Sequence, residues 1–316
     1  MMRTAAIDCG TNSIRLLIAD IDEAGVLTDV ERRMRVVRLG EGVDATGRLS
    51  DAALVRTFAA AEEYAGLIAQ HGSPEVRFVA TSASRDAENR DDFADGIRER
   101  LGVDPEVISG AEEAALSFHG AVSVLGAADD ETVLVIDLGG GSTEFVAGDS
   151  SGVTASRSMD MGCVRFTERF LHGDPPTASE ISAMEAEVRS LIAAAAADVP
   201  LGTVTTLVGV AGSITTVTAH ALKLHEYFPE RIHGAVLRTP DIQAAAADLL
   251  HRSRAERAEL PYMHPGRVDV IGAGALIWKC IVEEVAEATR GRVGGATASE
   301  HDILDGIALS IAARRT

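Results

Sequence analysis

Two short segments of the sequence carry the same chemistry. One reads Ile7-Asp8-Cys9-Gly10-Thr11-Asn12-Ser13 and the other Ile136-Asp137-Leu138-Gly139-Gly140-Gly141-Ser142-Thr143. Each sets an aspartate ahead of glycines and hydroxyls. Glycine lets the main chain approach a ligand closely and adopt positive φ. Successive N–H groups in such a turn form a concavity that binds anions. Aspartate offers hard oxygens to Mg²⁺, the ion that travels with phosphates. Asp137 and Glu144 straddle the glycine run, and across a hairpin turn their side chains could converge on one cation. Three consecutive glycines are hard to explain by stability, because glycine loses the most entropy on folding. One such turn says little. Two, each opening a half of the chain, point to phosphates gripped by duplicated domains.

Other candidates lie where apolar runs give way to turns. Val76 to Ala80 empties into Thr81-Ser82-Ala83-Ser84-Arg85, and an arginine there can grip phosphate oxygens in bidentate fashion. Taken alone, the same pattern is that of an ordinary solvent-facing helix start. Ser109-Gly110-Ala111-Glu112-Glu113-Ala114 puts two acids at a predicted helix N-terminus, where negative charge is favoured by about 0.3–1 kcal/mol. A catalytic role for either needs its carboxylate to face substrate as a general base. Gly209-Val210-Ala211-Gly212-Ser213 is a further strand-to-helix turn with room for an anion. The histidines show no cluster at metal-ligand spacing, and neither lysine sits in a Gly-x-x-x-x-Gly-Lys-Ser/Thr loop.

The elements that must hold these residues repeat. Strands are predicted near 4–8, 14–20 and 28–37, then a helix over 50–70 with Ser50 as its N-cap, a strand over 76–80, a helix near 91–101, a short strand over 106–108 and a helix over 111–125. The second half opens likewise, with strands near 132–137, 143–148 and 153–159. Helices follow near 163–171 and 177–197, then a strand over 205–210 running into a helix to about 222. Further helices are expected near 239–251 and 265–289, a strand over 293–297, and a last helix over 300–314. Antiparallel hairpins followed by helix-crossed strands imply a mixed, helix-covered sheet in each half. A chain of 316 residues fits two such domains.

Composition narrows the partners. The net charge of −19 argues against nucleic acid and anionic membrane surfaces, so an anionic substrate must be held locally by backbone amides, metal and a few arginines. No apolar stretch reaches the length of a membrane span and no signal-peptide pattern opens the chain. Cys9, Cys163 and Cys280 lie far apart, as free thiols in a reducing cytoplasm would.

Assembled in order, these motifs resemble those of the exopolyphosphatase and guanosine pentaphosphate phosphohydrolase family (Ppx/GppA). The resemblance runs from Ile7 to Arg15 through Ala80 to Ala87, Ile108 to Ala114, Asp137 to Glu144, Met161 to Arg165 and Gly209 to Ser213. It implies an α/β fold of two ribonuclease-H-like domains, as in actin, sugar kinases and acetate kinases, flanking an interdomain cleft. Residues 1–124 plus 301–316 would form the first domain, with the C-terminal helix returning to it, and 125–300 the second. By the same resemblance Glu113 is the catalytic base and Arg85 a charge clamp. Asp137, Glu144 and Asp8 would hold Mg²⁺ or orient the attacking water. Thr11, Asn12, Ser13, Arg15, Gly139, Gly140, Gly141, Ser142 and Thr143 would cradle phosphates, with Gly212 and Ser213 lining the second domain's side.

The expected activity is Mg²⁺-dependent release of orthophosphate from the end of inorganic polyphosphate, favouring short chains, by a cytoplasmic homodimer. Hydrolysis of guanosine pentaphosphate is the alternative, and a non-catalytic sensor of polyphosphate or alarmone a third. Two departures stand out. The sequence resembles the short form of the family, without the C-terminal helical domains of longer members. And where many relatives carry a Gly-Leu-Arg-Glu-Gly-like segment, this chain reads Asp302-Ile303-Leu304-Asp305-Gly306, without the arginine.

Overall fold

A computed structural model describes residues 1–72, 75–125 and 131–314. The chain divides into two compact units, Met1–Gly120 with Ile303–Thr316, and Ala121–Asp302.

In the first unit β1 (Met2–Cys9), β2 (Ser13–Ile21) and β3 (Leu27–Val36) form an antiparallel meander. Helices α1 (Val43–Thr46) and α2 (Asp51–Gln70) lead to β4 (Val76–Ala80), which lies parallel to β1. Then come α3 (Ser82–Asp86), α4 (Arg90–Leu101), β5 (Glu106–Val107), parallel to β4, and α5 (Gly110–Leu125). Among the described residues the strand order is β3-β2-β1-β4-β5. The predicted cap is present: the Ser50 hydroxyl accepts from the Ala53 amide.

Period-two alternation sorts the residues of β1 and β2 between two cores. Ala5, Ile7, Cys9, Ile14, Leu16 and Ile18 pack under α2 and α4, against Ala61, Tyr64, Phe93 and Ile97. Ala6, Leu17 and Ala19 face the other way, onto Leu116 of α5 and Ile303, Leu304 and Ile307 of the last helix. Asp8 and Arg15 belong to that second face, which is covered by the helix bearing Glu113.

The second unit repeats the plan. β6 (Val133–Leu138), β7 (Thr143–Asp149) and β8 (Gly152–Met159) are antiparallel, followed by α6 (Cys163–Phe170) and α7 (Ala178–Ala195). β9 (Thr206–Val210) runs parallel to β6 and feeds α8 (Gly212–Ala221). The rest comprises α9 (Pro229–Ile232), β10 (Val236–Arg238), α10 (Thr239–His251), α11 (Arg254–Ala258), α12 (Ile271–Ala288) and β11 (Gly295–Ala298). The strand order among the described residues is β10-β11-β9-β6-β7-β8. Read from β8 to β11, it is the order of the first sheet, with β10 added at the edge. Leu134, Ile136 and Leu138 line a core completed by Trp278, Ile277 and Ile281 of α12, which puts Asp137 on the opposite face. The chain then enters α13 (Ile303–Ala313), which belongs to the first unit. Two mixed sheets, each flanked by helices and opening with the same hairpin, make this an α/β protein of duplicated ribonuclease-H-like plan. Among the described residues no helix is long and apolar enough to cross a membrane.

Two expected elements differ. A single helix was predicted over 265–289, but Pro265–Arg267 form a 3₁₀ turn and the helix begins at Ile271. Proline suits the first position of such a turn and fits poorly in a helix interior. The last helix was predicted from Glu300 and starts at Ile303. There the Ser299 hydroxyl donates to the His301 carbonyl at 2.9 Å and accepts from the His301 amide at 3.0 Å, a local turn that competes with helix.

Candidate active site

The two Asp-Gly turns are built alike. In the first unit the Gly10 amide donates to the Ser13 carbonyl at 3.0 Å, and in the second the Gly139 amide donates to that of Ser142 at 3.0 Å. In each hairpin the aspartate stands directly across from the residue after the turn: Asp8 from Arg15, and Asp137 from Glu144. The partners give the two pairs different electrostatics. Arg15 forks onto one oxygen of Asp8, with Nε at 2.9 Å and Nη2 at 2.6 Å, so this carboxylate is matched by a cation of the chain itself. Asp137 and Glu144 are both acids, 7% and 1% exposed. Like charges directly opposed across strands repel, and such a pair suits a bound cation. The Ser158 hydroxyl orients Glu144 by donating to its Oε1 at 2.7 Å.

The glycine loop turns its carbonyls inward. The Cys163 amide donates to Gly139 O at 3.0 Å, and the Val164 and Arg165 amides donate to Gly140 O at 2.9 and 3.1 Å. Arg165 Nε adds a bond to Gly141 O at 2.8 Å. Gly162 permits this contact, since a β-carbon there would lie 2.3 Å from the Gly140 carbonyl. With its acceptors engaged by the start of α6, the loop leaves donors for an anion. Thr143, expected among the phosphate contacts, is fully buried and donates its hydroxyl to the Met161 carbonyl, which braces the loop from within.

The first loop is held from another side. Asn12 O accepts from the Val37 and Arg38 amides at 3.0 and 2.8 Å, and Thr11 O accepts from Gly40 at 2.8 Å. Asn12 Oδ1 is buried with no hydrogen-bond partner among the described residues.

Of the two adjacent acids, geometry separates the roles. Glu112 is bound at 2.7 Å by Arg77, a 4% exposed guanidinium that also takes Glu106 at 2.8 Å. Glu113, 7% exposed, meets Arg85 Nη1 at 3.1 Å, and the same nitrogen donates to Ile108 O at 2.8 Å. The structure thus brings Arg85, at the end of α3, to Glu113, in the first turn of α5.

At the start of α8, Ala211 adopts φ 71°, ψ 170°. That region is open essentially to glycine alone, and strain of this kind, about 1–3 kcal/mol, gathers at ligand-binding turns. Ser213 is tucked beside Gly274, where a β-carbon would lie 2.3 Å from its Oγ. Its hydroxyl also meets Cys163, whose thiol is nonetheless pushed up by burial. The sequence reading missed Arg267. Its guanidinium lies so close to Gly212 that a β-carbon there would be 2.5 Å from Cζ, and Nη1 reaches Thr216 Oγ1 at 3.1 Å. The Pro-Gly pair before it marked a turn rather than a helix interior, and was the available clue.

Among the described residues one trio, Glu185, Cys280 and Glu283, has metal-ligand spacing. Arg189 already occupies it, at 2.7 Å from Glu185 and 2.5 Å from Glu283. Asp137 and Glu144 form a pair, the arrangement that suits Mg²⁺, which keeps waters and shares its remaining positions with phosphate oxygens.

The Ppx/GppA phosphatase family pattern matches residues 17–311. The chain is 51% identical over 322 aligned positions to Exopolyphosphatase 2 of Mycobacterium tuberculosis (strain CDC 1551 / Oshkosh), covering 99% of each. Among solved structures, an exopolyphosphatase-like protein superposes with a TM-score of 0.95 at 47% identity, over 99% of this chain and 98% of that one. An exopolyphosphatase from Cytophaga hutchinsonii ATCC 33406 gives 0.85 at 26% identity, over 96% of each. The chain belongs to the Ppx/GppA phosphatase family.

Proposed function

We propose that this protein is an exopolyphosphatase, a hydrolase that releases orthophosphate from the end of inorganic polyphosphate. The observation that carries the reading is the pairing of two buried carboxylates, Asp137 and Glu144, beside a glycine loop whose Gly139, Gly140 and Gly141 carbonyls are engaged by the start of α6. A near full-length relative named as an exopolyphosphatase supports the same substrate class.

Phosphoryl transfer to water is mostly positioning and charge neutralisation. In this reading the Thr11–Ser13 and Gly139–Ser142 turns bind phosphate oxygens through backbone donors. Glu113, oriented by Arg85, accepts the proton of the attacking water, and Arg85 offsets charge on the reacting phosphate. Asp137 and Glu144 are the residues that would hold Mg²⁺, which when bound supplies further positive charge to phosphate oxygens. Asp8 is matched by Arg15 and keeps the first loop's floor neutral. Three buried free thiols suit a reducing cytoplasm, and a homodimer is the assembly we propose.

The test is orthophosphate release from tripolyphosphate, long polyphosphate and guanosine pentaphosphate, assayed side by side with Mg²⁺. Turnover of both polyphosphates above that of the nucleotide is the expected result. Preference for the nucleotide would replace the reading with a guanosine pentaphosphate phosphohydrolase, and binding of all three without turnover would make the protein a sensor.

A further inference from the structure

The segment that follows β3 is built into the first phosphate loop from behind. Three of its amides, those of Val37, Arg38 and Gly40, donate to the carbonyls of Asn12 and Thr11. Arg38 takes a left-handed conformation, φ 49°, which a residue with a side chain adopts only where its surroundings impose it. A residue of α2 braces this turn. Arg56 Nε donates to Val37 O at 2.7 Å, and its Nη2 reaches Glu41 at 3.0 Å and Arg38 O at 3.5 Å. One guanidinium therefore ties both ends of the turn.

At the tip of the turn, Gly40 is in contact on two sides. A β-carbon there would lie 2.3 Å from Thr11 Cγ2 and 3.2 Å from Ala83 Cβ. Thr11 belongs to the phosphate loop and Ala83 to α3, the short helix that carries Arg85. The turn is thus wedged between the two pieces of backbone that this unit contributes to phosphate binding.

We infer that Val37–Glu41, clamped by Arg56, is a positioning element for phosphate binding, and that Gly40 sets the spacing between the Thr11 loop and the Arg85 helix. The inference rests on the exopolyphosphatase reading. Gly40 and Arg56 are positioning residues, acting through Thr11, Asn12 and Arg85 without touching substrate. Enlarging Gly40 must displace Thr11, whose Cγ2 and Cβ would lie 2.3 and 3.3 Å from the added carbon, and crowd Ala83 Cβ at 3.2 Å.

The test is steady-state kinetics on tripolyphosphate, with melting temperature in parallel, for Gly40→Ala, Arg56→Gln, Arg56→Lys and Gly40→Ala combined with Thr11→Ser. A misplaced phosphate grip weakens substrate and transition state together, so KM should rise by about tenfold or more in Gly40→Ala and Arg56→Gln, with kcat changing less. Arg56→Lys keeps the charge but not the fork, and should fall between parent and Arg56→Gln. Thr11→Ser removes the clashing methyl and should lower the KM of Gly40→Ala. A purely structural role predicts a smaller active fraction, read as lower kcat at unchanged KM, and that result overturns the inference. Should Gly40→Ala fail to fold, the two Arg56 variants decide by the same criterion. Asn12→Ala and Ser13→Ala separate the two readings. Parent-like KM in both would overturn the phosphate-loop assignment and the inference with it. Raised KM in those variants with parent KM in Gly40→Ala and Arg56→Gln overturns the inference alone.

Discussion

Arg77 holds Glu112 at 2.7 Å while Arg85 reaches Glu113 at 3.1 Å, so neighbouring acids of one helical turn meet different guanidinium groups. Arg77 is locked further by its bonds to Glu106 and to the Ser310 hydroxyl at 2.7 Å, which makes Glu112 part of a structural network. Glu113→Gln should therefore lower kcat on tripolyphosphate by about 10²–10⁴-fold with little change in KM. Glu112→Gln should keep kcat near the parent value and lower the melting temperature instead. The opposite ranking of the two variants would exchange their roles. Asp137→Asn and Glu144→Gln each remove a hard anionic oxygen, and should raise the Mg²⁺ concentration needed for half-maximal activity. Parental Mg²⁺ titrations in both would mean that substrate phosphates alone hold the cation.

At the scale of elements, the Asp302–Gly306 segment finds its explanation in packing. Leu304 is buried in the apolar layer with Ala6, Leu17 and Val79. Asp305, 1% exposed, is bound by Arg32 of β3 at 2.6 Å. Gly306 lets α13 touch α5, since a β-carbon there would lie 1.9 Å from Leu116 O. Gly306→Ala should destabilise the protein by about 1–3 kcal/mol, as overpacking does, measured by urea denaturation. Stability equal to the parent would show that the two helices separate freely. A second element-scale prediction concerns α7, whose N-terminus is closed by a capping box of Thr177 and Glu180. The Thr177 amide, then its hydroxyl, then the His172 and Gly173 amides draw the Glu180 carboxyl down from its ordinary 4.5 to about 2. A carboxyl whose folded value is lowered stabilises the fold fully above its unfolded value and loses that contribution as pH falls through its folded value. The melting temperatures of the parent and Glu180→Gln should hence differ by a constant amount at neutral pH and converge as pH drops from about 4.5 toward 2. A gap still constant at the lower limit would mean that the carboxylate's charge contributes nothing to the cap.

Over the whole molecule, charge opposes the polyanionic substrate proposed for it. The chain carries 48 acidic side chains against 29 arginines and lysines, a net −19. A long polyanion meets more of that field than a short one, and salt screens it over about 10 Å at 0.1 M. The ratio of kcat/KM on long polyphosphate to that on tripolyphosphate should consequently rise with added salt. Cleavage of long chains should be distributive, with intermediate lengths accumulating, because distal phosphates find little positive charge to hold them between turnovers. A partial digest showing only full-length polymer and orthophosphate, or a ratio that falls with salt, would point to a basic track for the polymer.

Much of this protein was legible in the residues themselves. The two Asp-Gly turns declare themselves through glycine's backbone freedom and hydroxyl-rich flanks, which are local properties that no packing is needed to read. The hairpins follow from apolar runs on either side of each turn, and the Ser50 cap from the preference of short polar side chains for orphan amides. Tertiary structure decided what depends on partners distant in sequence. Within the hairpins the sequence already set Glu144 opposite Asp137, and strand register added only that Asp8 meets the guanidinium of Arg15. Glu112 and Glu113 are separated by Arg77 and Arg85, which β4 and α3 deliver from elsewhere in the chain. Gly40 is silent in sequence, and Arg267 is announced only by the turn before it, because their significance is a distance, to Thr11 in one case and to Gly212 in the other. Such distances are set by which side chains the core leaves room for. That is a property of the packed interior as a whole, and no window of sequence contains it.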